Sequence, residues 1–237
     1  MTEHEFRTAC AENGILLDDA QMQQFRTYTD LLIEWNRKMN LTAITDPEQI
    51  WEKHYLDSIL PFAGLDIHTL ADVGTGAGFP GIPVKITWPQ IRVTLVEPLK
   101  KRCRFLEAVK EALHLEDLEI CSERAEEFAA GNRDAFDAVC SRAVARLSIL
   151  LELTAPLAKP GGLVIALKGP GAAAELRSAA PALEALHLKL LKETDTSLSA
   201  GERVNLYFEK QGPTPADYPR NFGQIKKHPL EDTTWQK

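Results

Sequence analysis

The middle of this 237-residue chain carries the segment Asp72-Val73-Gly74-Thr75-Gly76-Ala77-Gly78-Phe79-Pro80-Gly81. It follows a short apolar run, Thr69 to Val73, and precedes a helical pattern from Ile82 to Thr87. Glycines at such a place let the backbone turn sharply and approach a ligand without a Cβ clash. The order strand, glycine loop, helix therefore predicts a cofactor-binding loop rather than a purely structural turn.

The glycines of this loop can be aligned in two registers that point to different cofactors. Gly76, Gly78 and Gly81 satisfy the GxGxxG dinucleotide fingerprint, but Pro80 lies inside it, where pyrophosphate needs helix-end N–H groups. The other register, D-x-G-x-G-x-G from Asp72, resembles the first motif of Rossmann-like S-adenosylmethionine-dependent methyltransferases. That cofactor has no pyrophosphate, so the loop need only pass close to its methionine part and ribose.

Short apolar runs alternate with helical stretches from residue 68 onward. The runs are Thr69 to Val73, Ile91 to Val96, Leu118 to Cys121, Phe136 to Cys140 and Leu163 to Leu167. The helices expected between them are Ile82 to Thr87, Leu99 to Leu113, Ala125 to Ala130 and Leu147 to Leu157. Such alternation predicts a doubly wound parallel sheet with helices on both faces.

Two features near the end of this pattern favour the methyltransferase register. The segment Leu157-Ala158-Lys159-Pro160-Gly161-Gly162-Leu163, before the fifth strand, resembles the L-x-P-G-G turn of the same methyltransferases. After a helix from Gly171 to about Leu186, the runs Leu188 to Glu193 and Arg203 to Lys210 predict a terminal antiparallel pair, turning at Ser199, Ala200 and Gly201. A dinucleotide-binding sheet ends parallel instead. The predicted class is α/β, a Rossmann-like class I S-adenosylmethionine-dependent methyltransferase. Its mostly parallel seven-stranded sheet has an antiparallel last strand, and a helical cap precedes it.

Three segments are predicted within one integrated structural domain. Residues 1–64 form the N-terminal helical cap, with an amphipathic helix from about Asp18 to Lys38 and a shorter helix after Pro47. Residues 65–211 form the methyltransferase domain. Residues 212–237 are proline-rich and polar, and they predict an irregular, basic C-terminal tail.

Composition and charge narrow the functional classes. Hydrophobic residues make up 44% and charged residues 26%, which is typical of a globular protein and argues against general disorder. The longest apolar runs are far shorter than the roughly 20 residues of a membrane span, and the first residues, MTEHEFRTAC, lack a secretory pattern. The four cysteines show no metal-binding spacing. We therefore expect a soluble cytoplasmic protein without a metal or a membrane partner.

An ordered series of short motifs extends the resemblance to most of the chain. The motifs are Trp35-Asn36-x-x-x-Asn40-Leu41-Thr42, His54-x-Leu56-Asp57-Ser58, the glycine loop, Lys101-Arg102-x-Arg104-Phe105-Leu106, Ser141-Arg142-Ala143, the Leu157 to Leu163 turn and Leu167-Lys168-Gly169. In this combination the chain, from about Trp35 to Phe208, resembles the bacterial 16S ribosomal RNA guanine-N7 methyltransferase family, first named glucose-inhibited division protein B.

The resemblance implies methyl transfer from S-adenosylmethionine to N7 of one guanine in 16S ribosomal RNA. It places six residues around the cofactor: Gly74, Phe79, Glu97, Ala125, Glu126 and Arg142. The glycine loop itself adds Gly76. Glu97 ends the second strand, where its carboxylate can accept hydrogen bonds from both ribose hydroxyls, although the shorter aspartate of some relatives leaves this contact open.

No acid–base residue is required by this chemistry, because guanine N7 already carries an in-plane lone pair and the sulfonium is already activated. Positioning can supply the rate. The candidates for positioning are Arg142, Lys168, Asn40, His54 and Asp57. Arg142 can hold the cofactor carboxylate, the RNA or a structural ion pair, and Lys168, at the end of the fifth strand, faces the ligand crevice.

RNA binding by an acidic chain needs a local basic region, since the net charge is -7. From Arg203 to His228 there are five basic and two acidic residues. The RNA-binding candidates are Lys168, Arg203, Arg220, Lys226 and Lys227. Tyr218, Phe222 and the prolines lie between the charges and favour a partly ordered arm that stacks on unpaired bases. We expect this arm to have hardly any effect on cofactor affinity.

The expected partner is 16S ribosomal RNA or the small ribosomal subunit, bound by a monomer. Two alternatives stay open from the sequence: an NAD-dependent oxidoreductase, and a non-enzymatic RNA-binding ribosome assembly factor that keeps the fold.

Overall fold

The computed structural model describes residues 1–142, 145–198 and 201–232. Its centre is a seven-stranded sheet in the order β3-β2-β1-β4-β5-β7-β6. The strands are β1 Thr69–Val73, β2 Arg92–Val96, β3 Leu118–Cys121, β4 Phe136–Arg142, β5 Ala158–Lys168, β6 Leu188–Leu198 and β7 Gly201–Lys210. Neighbours from β3 to β5 are parallel, whereas β7 runs antiparallel to both β5 and β6. The predicted α/β class and strand directions are confirmed.

Eleven α-helices occur among the described residues. They are α1 Glu3–Glu12, α2 Asp19–Met39, α3 Pro47–Ile50, α4 Asp57–Ile59, α5 Gly81–Thr87, α6 Lys100–Ala112, α7 Ala125–Gly131, α8 Leu147–Thr154, α9 Ala172–Ser178, α10 Ala180–Ala185 and α11 Phe222–Lys227. A π-helical turn, Trp51–Leu56, joins α3 to α4, and short 3-10 turns follow α4 and α8. The predicted amphipathic helix is α2, and Asp18 is its N-cap, because that side chain accepts a hydrogen bond from the Gln21 N–H.

Alternate residues of the strands supply two hydrophobic cores. Leu70 of β1 faces the first core, which also contains Phe6, Phe25 and Tyr28 of the N-terminal helices. Its neighbour Ala71 faces the second core, together with α7, α8 and α10. This alternation is the period of two expected for strands buried on both faces. The N-terminal helices therefore pack on one face of the sheet and share its core.

The C-terminal region differs from the sequence prediction. Residues 212–232, which we call the C-terminal strap, are packed against the sheet's helices rather than irregular: they contain α11, and Ile225 is fully buried. The predicted helix between Gly171 and Leu186 is broken into α9 and α10, where Ala179 leaves the helical conformation and Pro181 follows at the start of α10. Ala143 of the Ser-Arg-Ala motif, and the turn residues Ser199 and Ala200, lie outside the described residues.

In the part of the chain that the structure describes, no helix has the length and apolar character needed to cross a membrane.

Candidate functional site

The glycines of the loop between β1 and α5 have two different roles. Gly74, Gly76 and Gly78 have φ of 71°, 61° and 96°, a left-handed region that favours glycine. Open space surrounds the position of a Cβ on Gly76, whereas one on Gly78 would clash with Ile82 and with the Tyr28 hydroxyl. Gly76 therefore faces a potential ligand, while Gly78 allows close internal packing. This division disfavours the dinucleotide register, in which Gly78 would have to face the pyrophosphate.

Asp72, the last-but-one residue of β1, holds this loop in place. Its Oδ2 accepts hydrogen bonds from the Thr75 hydroxyl at 2.6 Å and from the Gly81 N–H at 2.8 Å. A Cβ on Gly81 would lie only 3.0 Å from that same oxygen, so the contact requires glycine. Oδ1 is buried with no hydrogen-bond partner among the described residues. Burial raises the pKa of Asp72 to about 6, although the two hydrogen bonds favour the charged form.

Glu97 follows β2 and is almost fully buried beside the glycine loop. Its Oε2 accepts a hydrogen bond from the Gly76 N–H at 3.0 Å, and its Oε1 accepts one from the Leu99 N–H at 3.0 Å. Arg102 makes a longer contact with Oε2, at 3.4 Å. Two backbone amides thus fix the carboxylate, and a carboxylate has about four lone-pair sites, so acceptor capacity remains for a ligand.

A small pocket opens beside Glu97, at the carboxyl ends of β1 and β2. We call it the β1/β2 slot; its volume is about 140 Å³. Its lining residues are Val73, Gly74, Val96, Pro98, Arg124, Ala125, Glu126, Leu153 and Phe222. Gly74, Ala125 and Glu126, which the sequence predicted as cofactor-binding residues, all line this pocket, next to Glu97. Phe222 was not among the predicted cofactor residues, because nothing local in the sequence connects it to the strands.

A larger cleft, of about 380 Å³, lies at the carboxyl ends of β4 and β5. We call it the β4/β5 cleft. Its lining residues are Ile44, Lys53, His54, Asp57, Arg142, Leu167, Lys168, Gly169, Glu175 and Arg203. Because β1 and β4 are neighbours, the slot and the cleft lie along one edge of the sheet, at the point where the strand order reverses. Ligands bind at this place in open α/β sheets.

Asp57 joins two arginines at one wall of the cleft. Its Oδ2 lies 3.3 Å from Arg142 Nη1 and 3.4 Å from Arg203 Nε. Burial raises the pKa of Asp57, while the two guanidinium groups favour its charged form. The arrangement leaves one net positive charge on the three side chains, at a wall that a polyanion can approach.

His54, a residue of the cap, is buried between Phe79 and Thr42. Its ring stacks on the Phe79 ring at 4.4 Å, and the Arg142 guanidinium carbon lies 4.9 Å from the centroid of the same ring. Arg142 Nη2 lies 3.3 Å from His54 Nδ1, and a guanidinium can only donate, so we assign the proton to Nε2, which lies 2.8 Å from the Thr42 hydroxyl. Burial, and secondarily Arg142, lowers the pKa of His54 to about 3. The imidazole is therefore neutral at physiological pH.

Several predicted residues are placed differently from the expectation. The Phe79 side chain packs in this aromatic cluster rather than in either pocket, and it is 5% exposed. Asn40 is exposed and ends α2 in a left-handed conformation, and it is not among the residues lining the cleft. Lys168 does line the cleft, but its amine lies 2.7 Å from Glu175 and donates to the Ala145 carbonyl.

The RNA-binding candidates of the C-terminal strap differ in whether their charge is already paired. Arg220 is bound through two nitrogens to the fully buried Glu152, at 2.8 and 2.6 Å, so its expected phosphate contact is not supported. Lys226 and Lys227 are exposed at the end of α11 and stay predicted RNA contacts. Phe222 packs against α8 and lines the β1/β2 slot, so the expected base-stacking arm is not what the structure shows.

Two solved structures with a similar fold contain a bound cofactor, which in the first of them is AdoMet. M. jannaschii TYW2 in complex with AdoMet has a TM-score of 0.55 and 15% identity, covering 71% of this chain and 79% of that one. Cofactor-bound Rv0187 from MTB has a TM-score of 0.57 and 18% identity, covering 82% and 91%. With the strand order, they define the fold class: a Rossmann-like α/β fold with a mostly parallel seven-stranded sheet.

Sequence comparison identifies the family within that class. The family model for GidB, rRNA small subunit methyltransferase G, matches residues 21–202. The Ribosomal RNA small subunit methyltransferase G of Lysinibacillus sphaericus is 45% identical, over 98% of this chain and 100% of the relative. The chain therefore belongs to the GidB family, which confirms the resemblance found in the sequence and removes the oxidoreductase alternative.

Residues of the β1/β2 slot and beside it fit S-adenosylmethionine, the cofactor of this methyltransferase family. The slot itself is lined mostly by apolar residues, Glu97 beside it presents a fixed and buried acceptor, and Gly76 of the neighbouring loop leaves open space where a Cβ would be. The Glu97 carboxylate can accept hydrogen bonds from ribose hydroxyls, and the apolar lining of the slot can contact a purine ring. Among the described residues, no group of three or more His, Cys, Asp or Glu side chains is arranged to hold a metal ion.

Proposed function

We propose that this protein transfers a methyl group from S-adenosylmethionine to N7 of a guanine in 16S ribosomal RNA. The family match over residues 21–202 carries the proposal. The adjacent slot and cleft support it, because two ligands must meet at the edge of the sheet for a direct transfer.

The β1/β2 slot is proposed to hold the cofactor. Glu97 accepts from the ribose hydroxyls, Gly74 and Gly76 let the loop pass close to the ligand, and Ala125 and Glu126 border the base. When bound, S-adenosylmethionine supplies an activated methyl group on a positively charged sulfur.

The β4/β5 cleft is proposed to receive the target guanine. Arg142 is held by Asp57 and by the neutral His54, so its guanidinium is pre-oriented at the cleft wall. N7 of guanine has a free lone pair and loses no proton on attack, so the cleft needs no general base. A neutral His54 whose two nitrogens are already engaged agrees with a positioning role.

Contacts with the RNA backbone are proposed for the cations around the cleft and on the strap. Arg203 lies at the cleft wall, and Lys226 and Lys227 are exposed on α11. Lys168 is proposed to contact a phosphate or a base of the RNA, and it gives up its ion pair with Glu175 when it does so. We propose that the protein acts as a cytoplasmic monomer on 16S ribosomal RNA or on the small ribosomal subunit, without a metal.

Mapping N7-methylguanine in 16S ribosomal RNA tests the proposal. Cells that lack this gene should lose one modified guanine, and a plasmid copy of the wild-type gene should restore it. The Gly76→Val variant, expressed at the same level, should not restore it. An unchanged modification pattern in the deletion strain would contradict the proposed function.

A further inference from the structure

The C-terminal strap is fixed to the body of the protein immediately before α11. Arg133 donates hydrogen bonds to the Thr214 and Tyr218 carbonyls, each at 2.6 Å. Arg220 donates to Glu152 through its backbone N–H as well as its guanidinium, at 3.0, 2.8 and 2.6 Å. Because Glu152 is fully buried on α8, it needs this partner, and removing the strap would leave its charge uncompensated.

This anchoring determines where α11 begins. Asn221 caps the helix by accepting a hydrogen bond from the Gln224 N–H at 3.0 Å. Phe222, the next residue, packs with Ile149, Leu153 and the buried Ile225 in a small apolar cluster between α8 and α11. The Arg124 guanidinium lies 5.8 Å from the centroid of its ring. The Phe222 side chain is therefore held on several sides, two residues after the Arg220–Glu152 pair.

The same side chain lines the β1/β2 slot. The lining residues at the ends of β1 and β2 are small or aliphatic: Val73, Gly74, Val96 and Pro98. Phe222 is the one aromatic residue among those that line it. A purine base presents a flat, weakly polar face, and aromatic side chains bind such faces favourably regardless of the base.

We propose that Phe222 is a cofactor-binding residue, and that the C-terminal strap forms the wall of the pocket that holds the adenine of S-adenosylmethionine. This inference rests on the proposed function only because it takes the cofactor to be S-adenosylmethionine. It extends the cofactor site from the strand ends to a segment that lies beyond residue 202, where the family match ends. It also means that cofactor affinity depends on the strap, contrary to the expectation from the sequence.

Calorimetric titration with S-adenosylhomocysteine, the demethylated cofactor, tests the inference without requiring RNA. Phe222→Ala should weaken binding about 5- to 150-fold, since base–aromatic stacking has that magnitude. Phe222→Tyr should stay close to wild type, because the ring is kept. A control on the same helix should bind as wild type: Lys226→Ala, which removes an exposed charge.

Hydrogen exchange of the wild-type protein provides a second readout, which is independent of whether Phe222→Ala folds. Addition of S-adenosylhomocysteine should slow exchange of the backbone amides of α11, as well as those of the glycine loop. Wild-type affinity of a folded Phe222→Ala variant, or protection of the glycine loop without any in α11, would overturn the inference. Failure of the proposed function has another signature: the wild-type protein would bind the cofactor and leave 16S ribosomal RNA unmodified.

Discussion

The Glu97 carboxylate accepts a hydrogen bond from the backbone N–H of Gly76, 21 residues earlier in the chain, at 3.0 Å. This contact joins the end of β2 to the glycine loop after β1. The Leu99 N–H holds the other carboxylate oxygen at the same distance. The acceptor for the cofactor is therefore oriented before any ligand binds, which lowers the entropy cost of binding.

Glu97→Gln should weaken S-adenosylmethionine binding by about 10- to 150-fold, because a charge-assisted hydrogen bond of roughly 1.5–3 kcal/mol is lost. Glutamine keeps the shape of the side chain, so the fold should be retained. Isothermal titration calorimetry measures the change, with Glu119→Gln, an exposed glutamate of β3, as the matched control. Equal affinity of the two variants would contradict the ribose contact.

Gly76→Val should abolish measurable cofactor binding, because its side chain enters the open space above the loop. The substitution also strains the backbone by about 1–2 kcal/mol, since φ is 61°. Gly64→Val provides the matched control: φ at Gly64 is 73°, and a Cβ there also meets open space. Both variants should lose similar thermal stability, but only Gly76→Val should lose affinity for the cofactor.

Asp72→Asn should stabilise the protein at pH 7.5 and not at pH 4. The pKa of Asp72 is raised from 3.8 to about 6, so the folded state holds a proton that the unfolded state has released between these values. Stability is therefore lost as pH rises from about 4 to 6, by on the order of 3 kcal/mol at higher pH. Asparagine resembles the protonated acid and avoids this loss.

Urea unfolding at the two pH values measures that difference. Asp66→Asn, a change at an exposed aspartate, should show no such pH dependence. If Asp72→Asn altered the free energy of unfolding equally at both pH values, ionisation of Asp72 would not be the cause.

The single-turnover methylation rate should show no ionisation of His54 between about pH 6 and 9, because its pKa is lowered to about 3. His54→Ala should reduce the rate at every pH in this range, since Arg142 loses one of the contacts that orient it. The shape of the profile should be unchanged. A bell-shaped wild-type profile that disappears in His54→Ala would assign acid–base chemistry to His54.

Replacing both Lys226 and Lys227 by alanine should make RNA binding less sensitive to salt. Each lost phosphate contact lowers the slope of log affinity against log salt by about 0.7 on single-stranded RNA. Affinity for the cofactor should be unaffected, because both side chains are exposed on α11. Lys189→Ala, at an exposed position on β6, should leave the salt dependence as it is. An unaltered slope in the double variant would place the RNA contacts elsewhere on the surface.

The sequence by itself determined the sheet, the glycine loop and the family. These follow from local patterns: apolar runs of strand length, helical periodicity between them, and glycines whose missing Cβ is needed at Gly78 and Gly81. The position of Glu97 after β2 was predictable for the same reason, since parallel neighbouring strands end at one edge of the sheet.

Only the tertiary structure decided which charges and rings reach the site. Asp57 meets Arg203 across 146 residues, and Arg220 meets the buried Glu152 across 68. Counting charges along the C-terminal segment could not show that Arg220 is already neutralised, or that Phe222 lies against the strand ends. Such contacts depend on which helices pack together. A buried charge needs a partner of opposite charge, and that partner can lie far away in the sequence, so the local sequence does not identify it.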